Sequence, residues 1–150
     1  MSSLKHQLHA HCLNFVQERI HQAQEVIRHA QQSANEETKS SSGDKYETGR
    51  AMAQLEIEKS SQQLAEALQL KNTLEKISPD VRSEVVQPGS LVITDQGNFY
   101  IAISAGQFQL DGINYVIISP ASPLARVLLG QKIHTTVAFQ SRKFAIQEIL

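Results

Sequence analysis

The segment Leu4-Lys5-His6-Gln7-Leu8-His9-Ala10-His11-Cys12-Leu13-Asn14-Phe15-Val16-Gln17-Glu18-Arg19-Ile20 opens an apolar stripe that decides the fold. Leu4, Leu8, Cys12, Val16, Ile20, Ala23, Ile27, Ala30 and Ala34 follow one another at gaps of three or four. That spacing predicts one long helix with a single buried face. A second stripe runs Ala53, Ile57, Leu64, Ala67, Leu70, Leu74 and Ile77, with Leu68 beside it. Between them lies Asn35-Glu36-Glu37-Thr38-Lys39-Ser40-Ser41-Ser42-Gly43, polar and rich in helix breakers. Two helices of similar length with a short polar join should zip as an antiparallel hairpin. Large residues line the stripes near the base, and alanines (Ala30, Ala34, Ala51, Ala53) line them toward the join. Small side chains let helices approach closely, so a slender tip is expected there.

The grammar changes near residue 78. From Leu4 to Ile77 there is no proline, whereas four prolines, five glycines and dense Val, Ile, Phe and Tyr follow from Pro79 onward. Ser78-Pro79-Asp80 is a helix-stop signal. Strands are predicted over 90–94, 99–104, 113–118, 135–139 and 144–149, with turns at Asp95-Gln96-Gly97-Asn98 and Asp111-Gly112. Ser122 to Gly130 reads as a short helix, with Ser122 as N-cap, Pro123 at the first helical position and Gly130 as the stop. The expected architecture is α+β. A helical hairpin over 1–78 has its tip around 36–47, a linker covers 79–88, and a small antiparallel β domain with one short helix covers 89–150.

Composition narrows the function. In 150 residues, Lys and Arg number 14 against 15 Asp and Glu, and the net charge is -1. No electrostatic grip on nucleic acid shows at this level. The single cysteine, Cys12, excludes a disulfide framework and a zinc site of several thiolates. No apolar run approaches the roughly 20 residues that span a bilayer, and the polar N-terminus is not a secretory signal. A protein of a reducing cytoplasm is expected, without a membrane partner. A hairpin satisfies its own stripe, so a monomer is expected too.

The candidate chemistry lies in Gly43-Asp44-Lys45-Tyr46-Glu47. Asp44 and Glu47 are three apart, so on a helix's first turn both carboxylates project from nearly the same place. Magnesium typically takes one or two carboxylates and completes its shell with waters and substrate phosphates. The pair would then be half a Mg2+ site, shared with a second protein. The structural alternative is a capping box, with acids at the positive helix end. His6, His9, His11, His21 and His29 lack a zinc-type spacing with a third ligand and read as solvated helix faces. Cys12 sits in the stripe and reads as a small core residue.

Hairpin, acidic tip and small C-terminal sheet together resemble the Gre family of bacterial transcript-cleavage factors. Gly43-Asp44-x-x-Glu47 is similar to that family's tip motif. Ser119-Pro120-Ala121-Ser122-Pro123-Leu124-Ala125-Arg126-Val127-Leu128-Leu129-Gly130-Gln131-Lys132 looks like its C-terminal signature, and Phe144-Ala145-Ile146-Gln147-Glu148-Ile149-Leu150 like its closing strand. The resemblance implies a hairpin inserted through the secondary channel of RNA polymerase. It also implies an FKBP-like C-terminal domain docked on the polymerase rim. Asp44 and Glu47 would help hold Mg2+ in the polymerase active centre, where the polymerase itself cleaves backtracked RNA near its 3′ end. The chain would be a cofactor of an enzyme rather than an enzyme. Ser122 and Pro123 would lie in the docking segment, with Arg126 structural or contact-making. The sequence departs from the family at Thr48-Gly49-Arg50-Ala51, where Asn-Ala-Glu-Tyr is usual. Lys45 also replaces an apolar residue, and Tyr46 is shifted relative to the family's aromatic.

Those departures motivate an alternative, a regulator that occupies the channel without cleavage. A prolyl isomerase with Phe99, Tyr100, Phe108 and Tyr115 around a pocket is a third reading, set against plain packing of a small sheet. A coiled-coil adaptor is a fourth.

Overall fold

The computed structural model describes the backbone of residues 2–38 and 43–150, and the side chains of residues 4–36 and 48–150. Two long helices come first, α1 (Ser2–Thr38) and α2 (Gly43–Glu75). A six-stranded sheet and one short helix follow, so the architecture is α+β. The chain falls into two compact units, Phe15–Lys71 and the pair of segments Met1–Asn14 and Asn72–Leu150.

The first unit is helical over its described residues. Val16, Ile20, Ala23 and Ala30 are buried on α1, and Ala53, Ser60 and Ala67 on α2. The α2 residues recur every seven positions, with half-buried Ile57 and Leu64 between them, which is the seam of a two-helix coiled coil. On α1 the steps Leu8, Cys12, Val16 and Ile20 are all four residues, and the mixed rhythm of four and three begins after Ile20. A run of fours locally unwinds a heptad seam. Ala51, expected in the stripe, is exposed, as are Met52 and Leu55. The residue between the predicted Ile57 and Leu64 that enters the seam is Ser60, only 3% exposed. Among the described residues no buried side-chain nitrogen or oxygen lacks a hydrogen-bond partner. Helix α1 also continues through Asn35–Thr38, which the composition marked as join.

The second unit is built on the strands β1 (Leu91–Thr94), β2 (Gly97–Ile101), β3 (Gly106–Leu110), β4 (Ile113–Ile118), β5 (Thr136–Phe139) and β6 (Arg142–Ile149). Their order is β3-β4-β2-β1-β6-β5. The expected all-antiparallel sheet is corrected at one seam, because β2 and β4 run parallel, pairing Phe99 with Val116 and Tyr100 with Ile117. The cause is β3, which forms the outer arm of a hairpin with β4 and carries the chain past β2 before it returns. That hairpin turns on Asp111 and Gly112, both with positive φ (52° and 79°), the geometry of a two-residue turn that matches strand twist.

Alternation sorts the strands between two faces. Val92, Phe99, Ile101, Val137, Phe144 and Ile146 form one buried cluster with Val86 and with Ala125 and Leu128 of α3 (Pro123–Leu128). Phe99 and Phe144 meet edge to face there at 5.9 Å. Leu91 and Tyr100, partners across β1 and β2, point to the opposite face, as do Tyr115 and Ile117. The start of α1 lies on that face, with His9 against Tyr100 and His11 stacked on Phe108 at 4.2 Å. Because both faces are covered, Leu91-Val92-Ile93 of β1 and Phe99-Tyr100-Ile101 of β2 read as continuous apolar runs rather than as alternating ones.

Candidate functional site

Two groups of residues carry the functional expectation, and they differ in how far the structure reaches them. Asp44 and Glu47 lie in the first turns of α2, which begins at Gly43. A separation of three residues in a helix puts two side chains on one side, about one turn apart. Their side chains lie outside the described residues. Among the described residues, no three His, Cys, Asp or Glu side chains gather as a set that could hold a metal ion. None of the described helices is long and apolar enough to cross a membrane.

The second group is described in full. Ser119 Oγ accepts from the Ala121 amide at 3.1 Å, and the Ser122 amide donates to the Ser119 carbonyl at 2.9 Å. Ser122 then caps α3, its Oγ accepting from the Ala125 amide at 3.3 Å. Pro123 follows at the first helical position, where a missing N–H costs nothing. After α3 the Gly130 amide donates to the Val86 carbonyl at 2.8 Å, and the Val86 amide to the Gln131 carbonyl at 2.9 Å. The segment is therefore anchored at both ends. Ala125 and Leu128 are buried, Ser122 is half-buried, and Pro123 and Arg126 are exposed. Pro123 and Arg126 are three apart, so α3 offers a rigid outward pair consisting of a flat ring and a guanidinium. A fixed apolar surface beside a planar five-donor cation suits a carboxylate-bearing protein surface.

The aromatics considered for an isomerase pocket are placed otherwise. Phe99, Tyr100 and Tyr115 are core residues, and Phe108 lies under the His11 ring. Two histidines read as solvated are corrected here. His9 and His11 are half-buried against the sheet, while His6, His21 and His29 are exposed. Both sit beside the apolar stripe, and an imidazole has an aromatic body that packs as well as a polar tip. Desolvation, and secondarily the charge of His6, lower the His9 pKa from its ordinary 6.5. Burial raises the Tyr100 hydroxyl and pushes the Cys12 thiol up to about 12. Cys12 is fully buried, as its place in the stripe predicts, and a thiol so protonated is a poor nucleophile.

No protein-family model matches this sequence, and no curated protein matches it.

Proposed function

We propose that the chain is a cofactor of bacterial RNA polymerase of the Gre type. Its helical pair enters the secondary channel and its tip stimulates cleavage of backtracked RNA by the polymerase. The observation that carries this reading is the start of α2 at Gly43, which sets residues 44 and 47 one turn apart at the end of a long helical pair. Two carboxylates so spaced fit what magnesium takes from a protein when phosphates and waters supply the rest. Asp44 and Glu47 would hold such an ion jointly with the polymerase, where a bound metal activates water and stabilises charge developing at phosphorus. The chain's own part is positional. A helix start spaces two residues three apart by about one turn, and acidic residues are favourable at the positive end of a helix.

The small-residue seam supports the same reading, because alanines and a serine at Ala23, Ala30, Ala53, Ser60 and Ala67 allow two helices to run close together. Pro123 and Arg126 then make the rim contact from an FKBP-like domain. The departures at residues 48–51 favour a second reading, occupation of the channel without cleavage. Gly49 lies inside α2, where glycine costs about 1 kcal/mol relative to alanine and loosens the start of the helix. A backtracked complex distinguishes the two. RNA shortening on addition of the protein supports the cleavage cofactor. Competition with a known cleavage factor and no shortening supports the occupant.

A further inference from the structure

A cleft of about 650 Å³ opens in the unit that holds the sheet, between the first turns of α1, the segment after α2 and the last residues of β6. Charged groups of both signs line it, Lys5 and Arg82 together with Asp80 and Glu84, and its apolar wall is Val81, Ile149 and Leu150. Lys5 is only 4% exposed, an unusual burial for a lysine. Its Nζ donates one hydrogen bond, to the Val81 carbonyl at 2.6 Å. An ammonium group has three N–H bonds, and no other described protein group takes the remaining two. Asp80 acts on Lys5 only through its charge, and its Oδ1 lies 3.2 Å from His6 Nε2. Among the described residues no carboxylate stands within ion-pair distance of Lys5.

A buried cation with one neutral hydrogen-bond partner, a second cation beside it and only the charge of Asp80 to offset both is a costly arrangement, unless something else completes it. The walls are preformed. Leu150 exchanges both backbone hydrogen bonds with Leu91, at 2.8 and 3.0 Å. The turn over 78–81 packs on Gly89, where a Cβ would stand 2.9 Å from the Ser78 carbonyl oxygen. The size suits a small molecule, and a few fixed polar groups set in an apolar wall are what orients one.

We propose that this cleft binds a small organic anion, with a carboxylate seated on Lys5 Nζ and Arg82 and an apolar body against Val81, Ile149 and Leu150. The site uses none of the tip or α3 residues, and it stands whether or not the polymerase reading does. Glu84 and Asp80 in the same lining disfavour highly charged anions, so a monocarboxylate fits better than a polyphosphate. Burial and Arg82 lower the Lys5 pKa more than Asp80 raises it, so a bound carboxylate, by adding a further opposite charge, raises it again.

The probe is hexanoate, titrated into the full chain and followed by backbone amide shifts and by the Lys5 Cε resonance. Saturable shifts confined to residues near 5, 79–84 and 149–150, with a Kd on the order of millimolar, are expected. The Lys5 pKa should rise on saturation. Lys5→Met, which keeps the buried length, and Arg82→Gln, at an exposed position, should each weaken binding about tenfold or more. Should Lys5→Met fail to fold, Arg82→Gln and the pKa shift in the parent protein still decide the matter. Absence of saturation by about 50 mM, a range that would mean an affinity far weaker than millimolar, overturns the proposal. Equal binding of hexan-1-ol overturns it as well, and so does undiminished binding by the variants.

Discussion

His9 Nδ1 lies 3.1 Å from the Tyr100 hydroxyl, which ties the first turns of α1 to the centre of the sheet. Tyr100 is fully buried, so its hydroxyl depends on this partner. Tyr100→Phe should cost about 1 kcal/mol, the usual net worth of one hydrogen bond, without changing the fold. Urea unfolding of the two proteins at pH 7.5 checks it.

The burial of His9, and secondarily the charge of His6, set a pH dependence. In the unfolded chain His9 titrates near its ordinary 6.5, and in the folded protein its pKa is lower. Between those two values the unfolded state binds more protons, so stability rises with pH. The contribution of His9 is therefore fully present above 6.5 and is lost as pH falls toward the folded pKa. Unfolding free energies at pH 7.5 and 5.5 should show the drop, and His9→Phe should make the drop smaller.

The seam of the helical pair is built for small residues. Ala23 is 4% exposed and Ala67 is 2% exposed. Replacing either by leucine adds volume where none is free, and should destabilise by about 1–3 kcal/mol. Leu68, 48% exposed, should tolerate lysine within about 0.5 kcal/mol. Thermal unfolding followed by helical circular dichroism separates the two outcomes.

The capping of α3 separates stability from docking. Ser122→Ala removes the side chain that accepts from the Ala125 amide, and should cost about 1 kcal/mol, whereas Ser122→Asp should preserve the cap. Arg126→Ala, at an exposed position, should leave the melting temperature unchanged. If the α3 surface docks on the polymerase, Arg126→Ala should still weaken that binding, measured by competition with a labelled cleavage factor.

Much of this fold was legible in the residues. The three- and four-residue spacing locates both long helices, and Ser122, Pro123 and Gly130 bound α3 closely. The missed strand, β3, is Gly106-Gln107-Phe108-Gln109-Leu110, an edge strand whose glutamines interrupt Phe108 and Leu110 and hide it from a search for apolar runs. The parallel pairing of β2 with β4 is a long-range outcome that no local pattern encodes. Ser60 was findable, because Ala53, Ser60, Ala67 and Leu74 stand seven apart and a seam accepts a small hydroxyl. Lys5 was findable too, three residues before Leu8 and seven before Cys12, on the buried side of α1. A search for apolar residues alone passes over both. The α3 half of the candidate site could be read from capping chemistry. The tip half could be read only as a spacing, since i and i+3 serve a capping box and a shared metal equally well.

The most direct test of the central claim is the rate at which a stalled, backtracked polymerase shortens its RNA in the presence of this protein. Asp44→Asn and Glu47→Gln keep the size of each side chain and remove its charge. The account predicts that each lowers the stimulated rate by about 100-fold or more, the scale of losing one preorganised electrostatic partner, while binding to the polymerase is retained. Stimulation undiminished in the double variant would contradict it.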